Sequence, residues 1–296
     1  MSARLLVFGN AGWDLPLRVP RLPRAGETLL GERGGDSPGG KGLNQAVIAA
    51  RAGADVLFIA PLGDDREGEA LRAALAAEPL AFAAIPSRHR TDLSLLCVAE
   101  DGSNLILSTN ACADGVDVAE AEAAAAWLAP GCMLLMQCGF LAAPTLAAAR
   151  AGAARGARVL LNAAPLRWDI APLLPLLDTL ILNEVEAEAA SGCADPADAA
   201  LQLHQRGARQ VIVTLGGEGA VCVDANGVRR QEAPAALVRD TTGAGDVFCG
   251  AYAAASLAGH ADPMAAAQRA AAWSVSREGC FAAFPPASVL RAMVGP

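Results

Sequence analysis

The chain has 296 residues, 53% of them apolar and 18% charged, and a formal net charge of −8. That length and apolar share can bury a large core, which excludes a disordered chain and points to one large domain with a small appendage. An acidic balance with no basic block and no basic amphipathic helix excludes nucleic acid and membrane surfaces as partners.

The start "MSARLLVFGN" has too short an apolar core for a signal peptide and reads as a strand over "RLLVF". Residues 14–34, rich in Pro, Gly and Arg, read as strands and hairpins with no crossover helix. Residues 91–110, with the turn "EDGSN" between two apolar runs, read the same way. Together they predict a small β-sheet lid over the main sheet. Further strands are predicted at "DVLFIA", "CMLLMQC", "ARVLLN", "TLILN" and "QVIVTL", and helices over 43–52, 66–77, 145–155, 184–191 and 197–206. The most apolar stretch, 121–150, is broken by Glu122, Pro130, Gly131 and Pro144, and reads as helix, strand, helix with no membrane span. The alternation is that of βαβ units, so the predicted fold is α/β: one domain over 1–296 with a doubly wound, mostly parallel sheet flanked by helices. The eight cysteines show no C-x-x-C spacing, and His89, His204 and His260 fall at no metal-ligand interval. A metal cluster and a disulfide framework are therefore not expected, and a cytoplasmic location fits best.

Two stretches carry chemistry. In "DTTGAGDVF", residues 240–248, three small residues lie between two carboxylates, after the strand-like "AALVRD" and before a helical run of small and apolar residues. Gly243, Ala244 and Gly245 then form a helix N-terminus whose unpaired N–H groups admit a phosphate, with Asp246 in the first turn. An acid there either serves the helix dipole or takes a proton from an alcohol attacking that phosphate. The second stretch is "GGDSPGGKGLNQAV", residues 34–47. Its segment 35–42 nearly matches a P-loop, but Gly42 stands where a magnesium-binding hydroxyl is required, Pro38 removes an N–H from the cradle, and no strand leads in.

Taken together, "GGKGLNQA", "NEVEAE" and "DTTGAGDVFCGA", in that order and at these separations, resemble the ribokinase-like sugar kinases, the pfkB family. "RAGETLLGE", "PLGDDREGE", "LNAAP", "VIVTLGGEGA" and "REGCFAAFPP" extend the resemblance over nearly the whole chain. It implies a ribokinase-like α/β core with a β-sheet lid, ATP and Mg2+ as cosubstrates, and transfer of the γ-phosphate to a primary alcohol. Asp246 becomes the general base, and Gly243, Ala244 and Gly245 the anion hole. Asn183 and Glu186 of "NEVE" help to organise magnesium and its waters. Thr214, Gly216, Gly217 and Gly219 of "TLGGEGA" form the nucleotide-binding turn, and Asp14, Gly40 and Asn44 hold acceptor hydroxyls.

Two acceptor positions depart from the pattern of ribokinases: Gly12 replaces an asparagine and Gly139, in "MQCGF", a glutamate, which disfavours ribose. Trp13 either stacks on an acceptor ring, which would suit a nucleoside, or packs the lid. Lys41, the only lysine, either reaches the phosphates as a point charge or leaves that contact to the loop backbone. Asp240 and carbonyls at Thr242, Ser274 and Gly279 stand where family members bind a monovalent cation such as K+. The expected function is an ATP-dependent carbohydrate kinase on a small-molecule sugar. The alternatives are a nucleoside kinase and a catalytically silent sugar sensor. By analogy, a homodimer through the lid is expected.

Overall fold

Leucine- and valine-rich runs become the inner strands of a parallel sheet because both faces are covered and every side chain finds apolar neighbours. The computed structural model describes residues 4–101 and 103–295. In chain order the elements are β1 (Arg4–Phe8), β2 (Gly12–Val19), β3 (Glu32–Arg33), β4 (Ser37–Gly39), α1 (Lys41–Arg51), β5 (Asp55–Leu62), α2 (Arg66–Ala76), β6 (Ala81–Pro86), β7 (Asp92–Ala99) and β8 (Asn104–Ser108). Then come α3 (Ala111–Asp114), α4 (Val118–Ala125), β9 (Met133–Gln137), α5 (Ala142–Ala154), β10 (Arg158–Asn162), β11 (Thr179–Asn183), α6 (Glu184–Ser191) and α7 (Pro196–Gln205). The chain ends with β12 (Val211–Thr214), β13 (Ala220–Asp224), β14 (Gly227–Gln231), α8 (Ala244–Ala258), α9 (Pro263–Ser274) and α10 (Ala287–Val294).

The main sheet has the order β14-β13-β12-β11-β10-β9-β1-β5-β6, parallel from β12 to β6 and antiparallel at β13 and β14. Its two faces feed separate cores. Leu5 and Val7 of β1 pack with α1, α2, α8, α9 and α10, while Leu6 and Phe8 pack with α4, α5, α6 and α7. This is the doubly wound, mostly parallel α/β arrangement expected from the alternation of elements. A second sheet has the order β3-β2-β7-β8, with β4 also paired to β2. Its strands come from 12–39 and 92–108, against the expected 14–34 and 91–110. The difference arises because β3 and β4 run along the same edge of β2, where Pro38 needs no ladder partner.

One local expectation fails, two strands were not foreseen, and one turn is not tested. "AALVRD" forms no strand; Arg239 and Asp240 instead donate both N–H groups to the Val275 carbonyl, which ties this segment to the end of α9. β6 and β14 were not among the expected strands, because an alanine-rich edge strand and an arginine-bearing one lack the apolar runs used as the signal. The turn expected at "EDGSN" includes Gly102, outside the described residues.

Most longer helices are closed by side-chain caps. Asp65 accepts from Gly68 N–H, Asp195 from Ala197 and Asp198, Asp262 from Ala265, and Asp117 with Glu120 forms a reciprocal box on α4. By contrast α1 and α8 start from glycines, Gly40 at φ 95° and Gly243 at φ 77°, with no side-chain cap. Their first amides are left for other partners. The two helices also touch closely: a Cβ added at Gly250 would lie 2.6 Å from the Gln45 carbonyl and 2.8 Å from Ile48 Cβ. Gly250→Ala is therefore expected to cost about 1–3 kcal/mol through overpacking, although alanine is the better helix former. A urea midpoint no lower than that of the unaltered protein would show that α1 and α8 need no such contact.

Candidate active site

The polar residues gather at the carboxyl ends of the parallel strands, where α/β sheets bind ligands. Gln137 of β9 pairs in register with Asn162 of β10, and Asn183 of β11 with Thr214 of β12. The start of α1 is pressed onto the end of β1. A Cβ at Gly42 would lie 2.7 Å from the Asn10 carbonyl oxygen and the Gly9 carbonyl carbon, so only glycine fits. This places the first turn of α1 against the first turn of α8.

Asp246 lies at that junction, 5% exposed. Asn44 Nδ2 donates to its Oδ2 at 2.9 Å and Gln45 Nε2 to its Oδ1 at 2.9 Å; Lys41 Nζ stands 3.9 Å from Oδ1. A buried carboxylate is tolerated only with such partners. The Asp246 carboxylate in turn holds the Lys41 ammonium above its usual range. At the α8 terminus a Cβ on Gly245 would meet open space, whereas one on Gly243 would lie 2.7 Å from Cys280 Sγ. Of the expected anion-hole donors, Ala244 N–H is turned to the Thr241 carbonyl at 3.2 Å.

Asp14, on β2, is also buried, and the Gly39 backbone fills the space beside its carboxylate so closely that any Cβ there would overlap it. Burial pushes its pKa up to about 6, offset in part by the Ser94 hydroxyl and aided by repulsion from Asp246. Gly40, beside Gly39, starts α1. Alternation along β2 turns Trp13 to the face opposite Gly12 and Asp14. There it packs on the core, with its indole against the Asp36 carboxylate. Of the two readings for Trp13, this geometry is that of packing.

The two departures from the ribokinase pattern have packing reasons. A Cβ at Gly12 would lie 3.0 Å from the Asp92 carbonyl oxygen. At Gly139 a Cβ would meet Asn10 Oδ1 at 3.3 Å, so the Asn10 side chain lies beside this position and would have to shift slightly for any residue there. Asn10 Oδ1 accepts from Gly42 N–H at 3.3 Å, and the Gly139 carbonyl accepts from Asn110 Nδ2 at 3.0 Å and Arg167 Nη1 at 2.7 Å. Sequence reasoning missed Asn10, Gln45, Gln137 and Asn162. Gln45 stood next to Asn44 inside a quoted motif, and its helical offset was the available signal.

Asn183 and Glu186 form a reciprocal capping box: Asn183 Oδ1 accepts from Glu186 N–H at 2.8 Å, and Glu186 Oε2 from Asn183 N–H at 3.0 Å. Burial raises the Glu186 carboxyl, against the lowering from the Asn183 N–H and Lys41. The Asn183 side-chain oxygen is thus engaged as a cap. One Glu186 oxygen is engaged by the same box, and the group stands within electrostatic reach of Lys41 and Asp246. After β12, Gly216 and Gly217 border open space, while Gly219 at φ 101° is pressed onto the Gln231 carbonyl. Thr214 donates to the Leu182 carbonyl at 3.2 Å.

Asp240 accepts from Thr242 N–H at 2.8 Å through Oδ1 and from Gly279 N–H at 3.0 Å through Oδ2, which draws the loops around Thr242 and Gly279 together. Burial pushes this carboxyl up, but the bonds from Thr242 and Gly279 outweigh it and hold it below the usual range. Ser274 is buried nearby at the end of α9. A cavity of about 340 Å³ lined by Ser87, His89, Cys112 and Glu120 involves none of these residues. No group of three or more His, Cys, Asp or Glu side chains suited to a metal ion occurs among the described residues. Among those residues no helix is long and apolar enough to cross a membrane.

The raised Asp14 carboxyl implies a stability cost that depends on pH. Above pH 6 the folded chain holds a buried charge that the unfolded chain holds freely; below pH 4 both forms are protonated and the cost disappears. Asp14→Asn is expected to stabilise the protein at pH 8 by about 1–3 kcal/mol, shrinking toward zero by pH 4. Denaturation curves at several pH values check this, and an equal effect at both ends contradicts it.

Comparison with known proteins agrees with this geometry. A family model described as pfkB family carbohydrate kinase matches residues 2–287. The ribokinase of Haemophilus influenzae is 32% identical over 295 residues, covering 96% of each chain. Among solved structures, Thermotoga maritima ribokinase superposes with a TM-score of 0.86 at 26% identity, covering 98% of this chain and 99% of that one. Arabidopsis thaliana ribokinase complexed with ribose and ATP gives 0.83 at 26% identity and 99% of each chain. This chain belongs to the pfkB family of carbohydrate kinases and is an ATP-dependent sugar kinase.

Proposed function

We propose that the enzyme transfers the γ-phosphoryl group of ATP to a hydroxymethyl group of a sugar or sugar derivative, with Asp246 as general base. The observation that carries this reading is a buried carboxylate held by Asn44, Gln45 and Lys41 at the uncapped N-terminus of α8. A carboxylate is a far weaker base than the alkoxide of an alcohol. Phosphoryl transfer proceeds through a loose transition state, so proton removal comes late and positioning supplies most of the rate. The amides at Gly243 and Gly245 meet the charge on the phosphoryl oxygens, joined by Ala244 only if its N–H leaves the Thr241 carbonyl, and Gly245 leaves them approachable.

Asp14 and Asn44 grip the acceptor, with Gly40 and Lys41 beside them. Asn44 Oδ1 is buried without a hydrogen-bond partner, the kind of acceptor that a sugar hydroxyl would satisfy. Gly12 and Gly139 offer no side chain, so hydroxyls gripped there in ribokinases lack those partners, and a sugar other than ribose fits better. The nucleoside alternative loses its aromatic support, since Trp13 turns away from Asp14.

Mg2+ would supply charge neutralisation at the nucleotide phosphates, with Glu186 holding it through water. Thr214, Gly216, Gly217 and Gly219, with Asn183, form the nucleotide side. Asp240 and the carbonyls of Thr242, Ser274 and Gly279 form a candidate seat for K+, consistent with the two loops that Asp240 ties together.

The small sheet supports a role as lid and dimer contact. Its edge strand β8 exposes Leu105, Ile106 and Leu107 in succession, an apolar edge that isolated proteins usually protect. Pairing with a second copy would cover it.

ADP release is the test for catalysis, measured over sugars, sugar acids and nucleosides with magnesium, with and without potassium. Acceptor-dependent release with a sugar is expected. Release with nucleosides alone would favour the second reading, and indifference to potassium would remove the cation seat. Asp246→Asn is expected to lose at least about 10²-fold in turnover while still binding nucleotide; near-normal turnover would remove Asp246 from the role. Ile106→Glu is expected to shift the protein to monomer in size-exclusion chromatography with light scattering. An unaltered protein that is already monomeric at micromolar concentration would overturn the dimer.

A further inference from the structure

We infer that Gln45 is the positioning residue of the reaction: it fixes the Asp246 carboxylate through a polarised chain of side-chain amides that begins at Gln137. This rests on Asp246 acting as the base. Gln45 is fully buried, and every hydrogen-bonding group of its amide is used. Nε2 donates to Asp246 Oδ1 at 2.9 Å and to Asn162 Oδ1 at 3.0 Å, and Oε1 accepts from Gln137 Nε2 at 2.7 Å.

The direction of this chain follows from its ends. A carboxylate only accepts, and so does a backbone carbonyl. Asn162 Nδ2 donates to the Ile181 carbonyl at 3.2 Å, which turns Asn162 Oδ1 toward Gln45. Two acceptors therefore face the Gln45 amino group, and flipping it would set its oxygen against both. Its own oxygen is left facing Gln137, which must then present its amino group. Gln137 is fixed in turn by the end of β1: its Oε1 lies so close over Gly9 that any Cβ there would overlap it. Among the four side chains this arrangement leaves only Gln137 Oε1 without a partner, and it aims a neutral donor at one oxygen of the base.

The other oxygen is held less securely. Asn44 Nδ2 serves Asp246 Oδ2, but Asn44 Oδ1 is buried without a partner and is free to draw the amide toward a bound hydroxyl. If the Asn44 amide turns to a bound hydroxyl, Gln45 is the remaining neutral donor on the carboxylate. Lys41 Nζ, at 3.9 Å, supplies charge without a fixed direction. A reacting group displaced by about 1 Å loses on the order of 10²-fold in rate, so the direction that Gln45 imposes is a kinetic quantity.

The test compares Gln45→Met, Gln137→Met, the double variant and Asp246→Asn. Turnover, the KM values for ATP and acceptor, and melting temperature are recorded for each. Gln45→Met keeps the side-chain volume and removes both donors. Its kcat is expected to fall about 10- to 100-fold while KM for ATP stays within about twofold. Gln137→Met, which only releases Gln45 to rotate, is expected to lose less, and the double variant no more than Gln45→Met, since both act through one chain. A merely structural role would lower the melting temperature and leave kcat of the folded fraction unchanged.

Gln45→Met within twofold of the unaltered kcat overturns the inference, and so do losses in the two single variants that multiply in the double. If Gln45→Met does not fold, Gln137→Met decides, and an unchanged kcat there overturns it as well. Asp246→Asn separates the two failures. Near-normal turnover in that variant sinks the assignment of the base, whereas an inactive Asp246→Asn beside a normal Gln45→Met sinks only the role of Gln45.

Discussion

A single carboxyl group buried between two helix starts constrains much of this structure. Removing a carboxylate from water costs several kcal/mol unless charges and donors replace its hydration. Asp246 recovers that loss from three side chains of one helix turn, Lys41, Asn44 and Gln45. They reach it only because α1 and α8 meet at their N-termini. That meeting depends on glycine at each close approach: Gly42 on the end of β1, Gly250 on the carbonyl of Gln45, and Gly243 under Cys280 and Phe284. The small residues of the two motifs therefore serve the packing that holds the carboxylate.

Electrostatics around the site explains why the backbone matters there. Asp246 and Glu186 act on one lysine, and Asp14 repels Asp246 from β2. Side chains alone make an acidic site that repels a polyphosphate. Oriented dipoles offset part of that repulsion: α8 starts without a side-chain cap and spends only its Ala244 N–H on the Thr241 carbonyl, whereas on α1 the N–H groups of Gly42 and Leu43 are taken by Asn10. On α6 the reverse holds: Asn183 and Glu186 close their own helix start, and what remains for a ligand is the outer part of the Glu186 carboxylate.

The departures at Gly12 and Gly139 belong to one packing solution. The Asp92 carbonyl lies against Gly12, and Asn10 reaches across to Gly139 while holding the amide of Gly42. Asp92 itself accepts from the amides of Cys112 and Ala113, and Arg167 pairs with Asp114 while donating to the Gly139 carbonyl. The surroundings of Gly12 and Gly139 are thus built largely from backbone and from residues that the family pattern does not single out. A pattern written in side chains is silent about such a wall.

The sequence by itself determined the α/β alternation, the inner strands, the glycine motifs and the acid of the α8 turn. Each of these is written in local periodicity or in residues whose size and charge are needed in place, as "TLILN" and "GAGD" show. The edge strands β6 and β14 were not legible, because edges are defined by what they pair with. The segment "AALVRD" misled, because strand-like composition says nothing about whether a sheet edge is within reach, and α9 was the nearer partner. Only the tertiary structure decided that Trp13 faces away from Asp14, that Asn10 lies beside Gly139, and that Gln137, Gln45 and Asn162 join in one chain. Those three amides come from β9, α1 and β10, more than a hundred residues apart in sequence at the extremes, and hydrogen bonds over such separations exist only once the sheet has set the strand ends side by side.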